Sequence, residues 1–219
     1  MAGGLLGSAV RATVLVALFG GIFASPALAD TRRDAIRVLN SLPVSAERAS
    51  GYDRELFRHW SDLDADGCNT REQVLIDERI AGQVAGCDVL GGRWRSMYDG
   101  DVTSNSSSFD IDHYVPLKEA WDSGAWRWNP ATRERFANDL GFPGALIAVS
   151  ASSNRSKSDR DPAEWLPERA VCKYAKTWVA VKFRWRLAVD STEKSELMRI
   201  LRGCSPTMRV PSLARVVTQ

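Results

Sequence analysis

Apolar positions along the chain fall into short, distinct patterns. Ile36 and Leu39, three apart, mark one short helix, and Leu56, Phe57 and Trp60 form a second apolar face; Ser41 to Gly51, with Pro43, reads as a connector between them. Arg93 to Tyr98 alternates in polarity after Gly91-Gly92, the composition of a turn followed by a strand, and 99–108 is a polar loop. Phe109 to His113 is a short strand pattern, and Pro116 opens a helix with Leu117, Ala120 and Trp121 on one face. Asn129-Pro130 is a helix cap with a first-turn proline, followed by Phe136 and Leu140.

Ala145 to Val149 is a continuous apolar run of strand length, entered from Gly141-Phe142-Pro143-Gly144 and running into Ser150 to Asn154. Tyr174, Trp178, Val181 and Trp185 recur at helical spacing, as a core stripe does. Asp190 and Glu193 stand as a capping box before a last helix whose Leu197, Ile200 and Leu201 face inward. The reading is α+β: a mainly helical single domain, with residues 207–219 as a loose tail. No internal repeat is visible.

The first residues have a different character. Arg11, the apolar run Thr13 to Phe23 and Ala27-Leu28-Ala29 have the layout of a secretory signal, 1–29, with cleavage before Asp30. A retained anchor is the alternative, but the run is shorter than the roughly 20 residues needed to span a bilayer. The mature chain, 30–206 plus its tail, is therefore expected to be secreted, with no membrane association after cleavage. Eight Trp and seven Phe are enough for a sizeable core. Cys68, Cys87, Cys172 and Cys204 form an even set that favours two disulfides in an exported chain. Three pairings are open, with Cys68–Cys87 and Cys172–Cys204 preferred because each brackets one local unit. No CxxC spacing supports zinc. Net charge is only +2, yet from Gly141 onward fourteen Lys and Arg stand against seven Asp and Glu.

Candidate chemistry gathers in two segments. Phe109-Asp110-Ile111-Asp112-His113-Tyr114-Val115-Pro116 holds one of only two histidines. Strand alternation puts Asp110 and Asp112 on one face, with His113 turned away unless the strand ends there. Carboxylates beside an imidazole suit a divalent cation and a base near neutral pH, although a lone Asp-His pair is more often a structural hydrogen bond. The second segment, Ser153-Asn154-Arg155-Ser156-Lys157-Ser158-Asp159, begins where the apolar strand ends.

Together the two segments resemble the HNH (ββα-metal) nucleases, in particular the HNH domain of RNA-guided CRISPR nucleases, with an Asp-x-Asp-His-x-x-Pro run followed by Asn-Arg-x-Lys-Ser. The likeness to a group of exported HNH-family proteins reaches further, over Asp112 to Trp121, Ser150 to Lys157, Asp161 to Pro167, Cys172 and Cys204. The resemblance implies a strand–strand–helix site in which His113 is the general base and Asp112 and Asn154 hold the metal, with Asp110 as a supporting ligand or neighbour. Arg155 and Lys157 are read either as phosphate contacts or as solvated surface charges. The 145–149 strand offers no asparagine for the middle position of the family name, so another carbonyl or side chain must orient the base. Adjacent carboxylates are expected to push the His113 pKa upward from about 6.5.

Oxygen ligands with retained waters point to Mg²⁺, or Mn²⁺, as the cofactor of an exported endonuclease acting on DNA, and on RNA as a further substrate. No recognition helix or zinc finger is apparent, so little sequence preference is expected. No protein partner is implied. Asp62, Asp64 and Asp66 match the first half of a calcium loop whose second half fails, leaving either a structural Ca²⁺ or carboxylates that cap the helix near Thr70. His59, close by, reads as a surface or packing residue. The rival class is a non-catalytic, calcium-stabilised surface or cell-wall binding protein.

Overall fold

The computed structural model describes Met1, Gly3 and residues 31–219. The expected signal segment and its cleavage site lie outside the described residues. Those residues hold β1 (Thr31–Asp34), α1 (Ala35–Ser41), α2 (Thr70–Asp77), β2 (Ala81–Ala85), β3 (Asp88–Arg95), β4 (Val102–Thr103) and β5 (Phe109–His113). After these come α3 (Leu117–Asp122), α4 (Pro130–Ala137), β6 (Leu146–Ser150), α5 (Ala151–Lys157), α6 (Val171–Trp185), α7 (Ser191–Arg202) and β7 (Thr207–Val210). Among them no helix is long and apolar enough to cross a membrane.

The long helix α6 organises the core. Its stripe Tyr174, Trp178, Val181 and Trp185 is fully buried, against Val38 and Leu39 of α1 and Leu197, Ile200 and Leu201 of α7. Asp190 and Glu193 form the capping box read from the sequence, each side chain bonding the other's backbone N–H. Inside this apolar packing lies one cation: the Lys182 ammonium reaches Glu119 of α3 at 2.6 Å and Glu193 of α7 at 2.7 Å. It also donates to the Ser123 hydroxyl and the Ala188 carbonyl, both at 2.9 Å. Three helices thus meet on one buried charge. The two carboxylates outweigh the cost of burial, and the Lys182 pKa is raised.

Three small antiparallel sheets surround this packing. In the first, β1 pairs with β7, Thr31 opposite Val210. The residues after Pro206, expected to be loose, are in fact docked. Met208 and Val210 alternate inward from β7, Ala214 N–H donates to the Arg184 carbonyl, and Gln219 N–H donates to the Arg127 carbonyl. The backbone hydrogen bonds and inward apolar side chains of this strap explain its order.

The second sheet is a hairpin of β2 and β3 with β4 on its far edge. Its turn is at Gly86-Cys87, not at Gly91-Gly92, which lie inside β3. Gly82, at φ +111°, lies so close to Gly92 that a Cβ there would sit 2.7 Å from the Gly92 Cα, and the two glycines let the strands close at a bulge. Cys68–Cys87 fastens the turn, and Cys172–Cys204 joins α6 to the end of α7. Both pairs are those preferred from the sequence. The helix at Thr70 is capped by Asn69 and Glu72, not by the carboxylates before it.

The third sheet pairs β5 with β6, Phe109 opposite Ser150 and His113 opposite Leu146, and α5 follows β6 without an intervening loop. Phe109 and Ile111 join Leu146, Ala148, Val74 and Trp94 in a second apolar cluster on one face of this pair.

Removing the Lys182 ammonium strands two carboxylates in the core. Lys182→Met is expected to lower stability by about 3–5 kcal/mol, the usual result of breaking a buried pair from one side. Urea denaturation measures it, and an unchanged midpoint would show that the cluster contributes nothing net.

Candidate active site

Strand period and helix period set the geometry. In β5, Asp110 and Asp112 share one face, and on α5 Asn154 and Lys157, three apart, share another. The faces meet in two rungs. Asn154 Nδ2 donates to Asp110 Oδ2 at 3.1 Å, and Lys157 Nζ lies 2.9 Å from both Asp112 oxygens. Tyr98 completes the second rung, its hydroxyl donating to Asp112 Oδ2 at 2.6 Å, while Lys157 also donates to the His113 carbonyl at 3.0 Å. Burial pushes the Asp112 pKa up and the Lys157 pKa down, and their mutual attraction opposes both shifts.

Lys157 is therefore not a phosphate contact. Its side chain has no solvent exposure and its ammonium is spent on Asp112 and the backbone, so neither reading of it as a surface charge holds. Arg155, two residues earlier, is exposed and lines a cleft of about 380 Å³. Asp112, His113, Asn154, Arg54, Ser158 and Asp159 line the same cleft. Asp110 does not line it, and its carboxylate accepts an amide hydrogen of Asn154. The Asn154 Oδ1 has no hydrogen-bond partner among the described residues.

His113 ends the strand, as Pro116 predicts, and its imidazole lies beside Trp60, ring centroids 5.7 Å apart. Its Nε2 is 2.8 Å from the Ala137 carbonyl. A carbonyl only accepts, so the proton sits on Nε2 and Nδ1 carries the lone pair. Burial pushes the His113 pKa down to about 3, with the charges of Arg54, His59 and Lys157 adding to the effect and the Ala137 bond opposing it. The upward shift expected from the adjacent carboxylates does not occur, because the ring is desolvated, and the neighbouring Asp112 is itself paired with Lys157. The imidazole is neutral throughout the neutral pH range.

The orienting group sought on the 145–149 strand is instead at the end of α4. Asn138 follows the carbonyl that holds His113, and its side chain fixes that corner. Its Oδ1 accepts from Ser61 N–H at 2.9 Å, and its Nδ2 donates to the Arg58 and Glu134 carbonyls, both at 2.8 Å. An asparagine closing a predicted helix was the available signal. Arg54, in a single 3₁₀ turn over Arg54–Leu56 capped by Asp53, had no sequence signal beyond its charge. His59 is half-buried, with Nδ1 bonded to the Phe57 carbonyl. Asp62, Asp64 and Asp66 do converge, one oxygen from each within 4.8 Å of the others, but all three are exposed. Asp62 and Asp66 are already taken as acceptors by the N–H groups of Gly67 and Cys68.

The model of the GmrSD restriction endonucleases, C-terminal domain, matches residues 71–200, more than half of the chain, including β5, β6, α5 and α6. The chain belongs to the GmrSD C-terminal domain family. It is thus a nuclease-family domain whose match spans Asp112, His113, Asn138 and Asn154. An "uncharacterized secreted protein" of Arthroderma benhamiae is 43% identical over 157 residues, covering 70% of this chain and 76% of the relative. That secreted relative and the two closed disulfides agree with the exported compartment read from the sequence. No solved structure matches the chain.

The buried rung makes a distinct prediction for this GmrSD-family domain. Lys157→Ala should lower stability by about 3–5 kcal/mol, because Asp112 is left charged and unpaired. Lys157→Met combined with Asp112→Asn should recover part of the loss. Equal urea midpoints for the parent and Lys157→Ala would contradict the assignment of Lys157 as a buried clamp.

Proposed function

We propose that this domain is a secreted, metal-dependent endonuclease of the HNH type, hydrolysing phosphodiester bonds of DNA, and of RNA as a further substrate, with little sequence preference. One observation carries the reading beyond family membership. His113 is a neutral imidazole, anchored through Nε2–H on a backbone carbonyl so that Nδ1 is its basic atom, and the residue lines a cleft together with Asp112 and Asn154. The order of β5, β6 and α5 around it supports the ββα comparison.

In this mechanism His113 Nδ1 takes a proton from the attacking water. The Ala137 carbonyl keeps the ring in place and stabilises the imidazolium that forms, and Asn138 keeps that carbonyl in place. Arg54 and Arg155, at the cleft, contact phosphate oxygens and hold the strand against the base. Asp110 holds the Asn154 amide so that Oδ1 is its free end.

The donor set fits a hard cation. Asn154 Oδ1 lacks a partner among the described residues, Asp112 keeps lone pairs beyond those used by Lys157 and Tyr98, and the cleft has room for waters. Asp112 and Asn154 would hold Mg²⁺ or Mn²⁺, which when bound neutralises charge on the phosphoryl group and the departing oxygen.

Plasmid cleavage with Mg²⁺, Mn²⁺, Ca²⁺ or EDTA tests the reading against a calcium-stabilised, non-catalytic binding protein, which would give no product under any condition. His113→Ala should reduce cleavage on the order of 10²- to 10⁴-fold. It also leaves the Ala137 carbonyl unpaired, at a cost of about 1–3 kcal/mol, so circular dichroism at the assay temperature must confirm folding. Asn154→Ala should lose activity that raised Mg²⁺ partly restores. A folded His113→Ala protein that cuts as fast as the parent would overturn the base assignment.

Substrate contact has its own signature. Arg54→Ala and Arg155→Ala should each weaken binding about equally across sequences and make the slope of log K against log salt shallower by about one. Unchanged slopes in both variants would remove the two arginines from the substrate track.

A further inference from the structure

Outside the cleft, a second group of oxygens gathers beside α3. Glu47, Glu119 and Asp122 each bring one oxygen within 4.8 Å of the others, and Glu47, Asp161 and Asp190 do the same. None of these five lines the cleft. Glu119 and Asp122 are 3% and 5% exposed, while Glu47 covers them from the solvent side on the connector before residue 54. Arg48 N–H, donating to the Asp122 carbonyl at 3.2 Å, holds that connector against α3.

Most of these oxygens are accounted for. Lys118 bonds Asp122 Oδ2, and Lys182 and the Ser123 hydroxyl bond Glu119 Oε1. Asp161 Oδ1 accepts from Ala163 N–H and Glu164 N–H, and Asp190 Oδ1 from Thr192 N–H and Glu193 N–H. Among the described residues, the ion pairs of these carboxyls, six with Glu193 included, are made with two ammonium groups, Lys118 and Lys182.

One atom stands out. Asp122 Oδ1 is fully buried and has no hydrogen-bond partner among the described residues. A buried acceptor without a donor costs about 1–3 kcal/mol, so this second oxygen points to a partner in addition to the Lys118 ammonium on Oδ2. Burial and the neighbouring Glu119, Asp122 and Asp190 push the Glu47 pKa up to about 7. A proton shared between Glu47 and Glu119 relieves part of this repulsion but supplies no donor to Asp122 Oδ1.

We propose that Glu47, Glu119 and Asp122 form a second divalent-cation site, of the calcium class, that fastens the Glu47 connector onto α3. The donors are carboxylate oxygens with no imidazole or thiolate, which suits a hard cation. Their irregular placement on a loop and a six-residue helix suits Ca²⁺, which accepts variable geometry, better than Mg²⁺, which demands an octahedron. Asp161 and Asp190 add negative field without being required as ligands. Asp62, Asp64 and Asp66 are a weaker candidate, since all three are exposed and none leaves a buried oxygen unpaired.

The test uses the whole exported protein, stripped with EDTA and titrated with Ca²⁺ by calorimetry and by thermal melting without Mg²⁺. Ca²⁺ should bind and raise Tm. Glu47→Gln and Asp122→Asn should each weaken that binding at least ten-fold and abolish the Tm rise, while Asp64→Asn and Asn154→Ala should keep both. Glu47 is exposed, so Glu47→Gln remains informative even if Asp122→Asn fails to fold. Glu47→Gln should also retain the parent's Mg²⁺-dependent cleavage, and Ca²⁺ binding in a protein that cuts nothing would overturn the nuclease reading but not this site. Absence of Ca²⁺-linked heat and of any Tm rise would overturn the proposal. So would a Tm rise that survives Glu47→Gln but disappears in Asp64→Asn.

Discussion

The candidate site depends on the buried pair of Lys157 and Asp112. Taking two opposite charges out of water is costly unless their remaining bonding capacity is filled. Here Tyr98 donates to the carboxylate and the His113 carbonyl accepts from the ammonium, so the pair is satisfied on both sides. The consequence is geometric. Two residues along a strand advance about 6.6 Å and three along a helix about 4.5 Å, close enough for Asp110 and Asp112 to meet Asn154 and Lys157 as successive rungs. One rung clamps the helix to the strand, and the other aims an amide.

Burial sets the electrostatics of His113, and the charge of Lys157 adds a smaller effect in the same direction. An unpaired carboxylate next to the imidazole would favour its protonated form. With Asp112 facing Lys157 on one side of the strand and His113 buried against Trp60 on the other, desolvation decides and the ring stays neutral. A neutral ring whose Nε2–H is tied to the Ala137 carbonyl has a single free basic atom, and the protein fixes which one it is.

The legible parts of the chain were those with strong local patterns. The strand ending at His113, the apolar strand before Ser150, the aromatic stripe of α6 and the Asp190–Glu193 cap all follow from periodicity or capping chemistry. Features that depend on distant partners were not legible. The β1–β7 pairing joins segments about 175 residues apart, and only tertiary contact distinguishes Thr207 to Val210 from a tail. The burial of Lys157 was hidden by its polar neighbours, although its spacing of three from Asn154 already put both on one helical face. Asn138 carried no strand signal, because the bond to His113 comes from a helix end distant in sequence.

The short helices explain why buried charges recur. Helices α3 and α5 have six and seven residues, well below the length at which a helix is stable alone. Apolar burial is limited on so few turns, and α5 is largely polar, with Lys157 its one fully buried side chain. Helix α3 does bury Leu117, Ala120 and Trp121, and each helix is also tied to a distant element by an ion contact, α3 through Glu119 to Lys182 and α5 through Lys157 to Asp112. Such contacts are directional where apolar packing is not, and they place particular side chains at particular positions. The segment that carries Asn154 and Arg155 is therefore located by a lysine that never reaches the solvent.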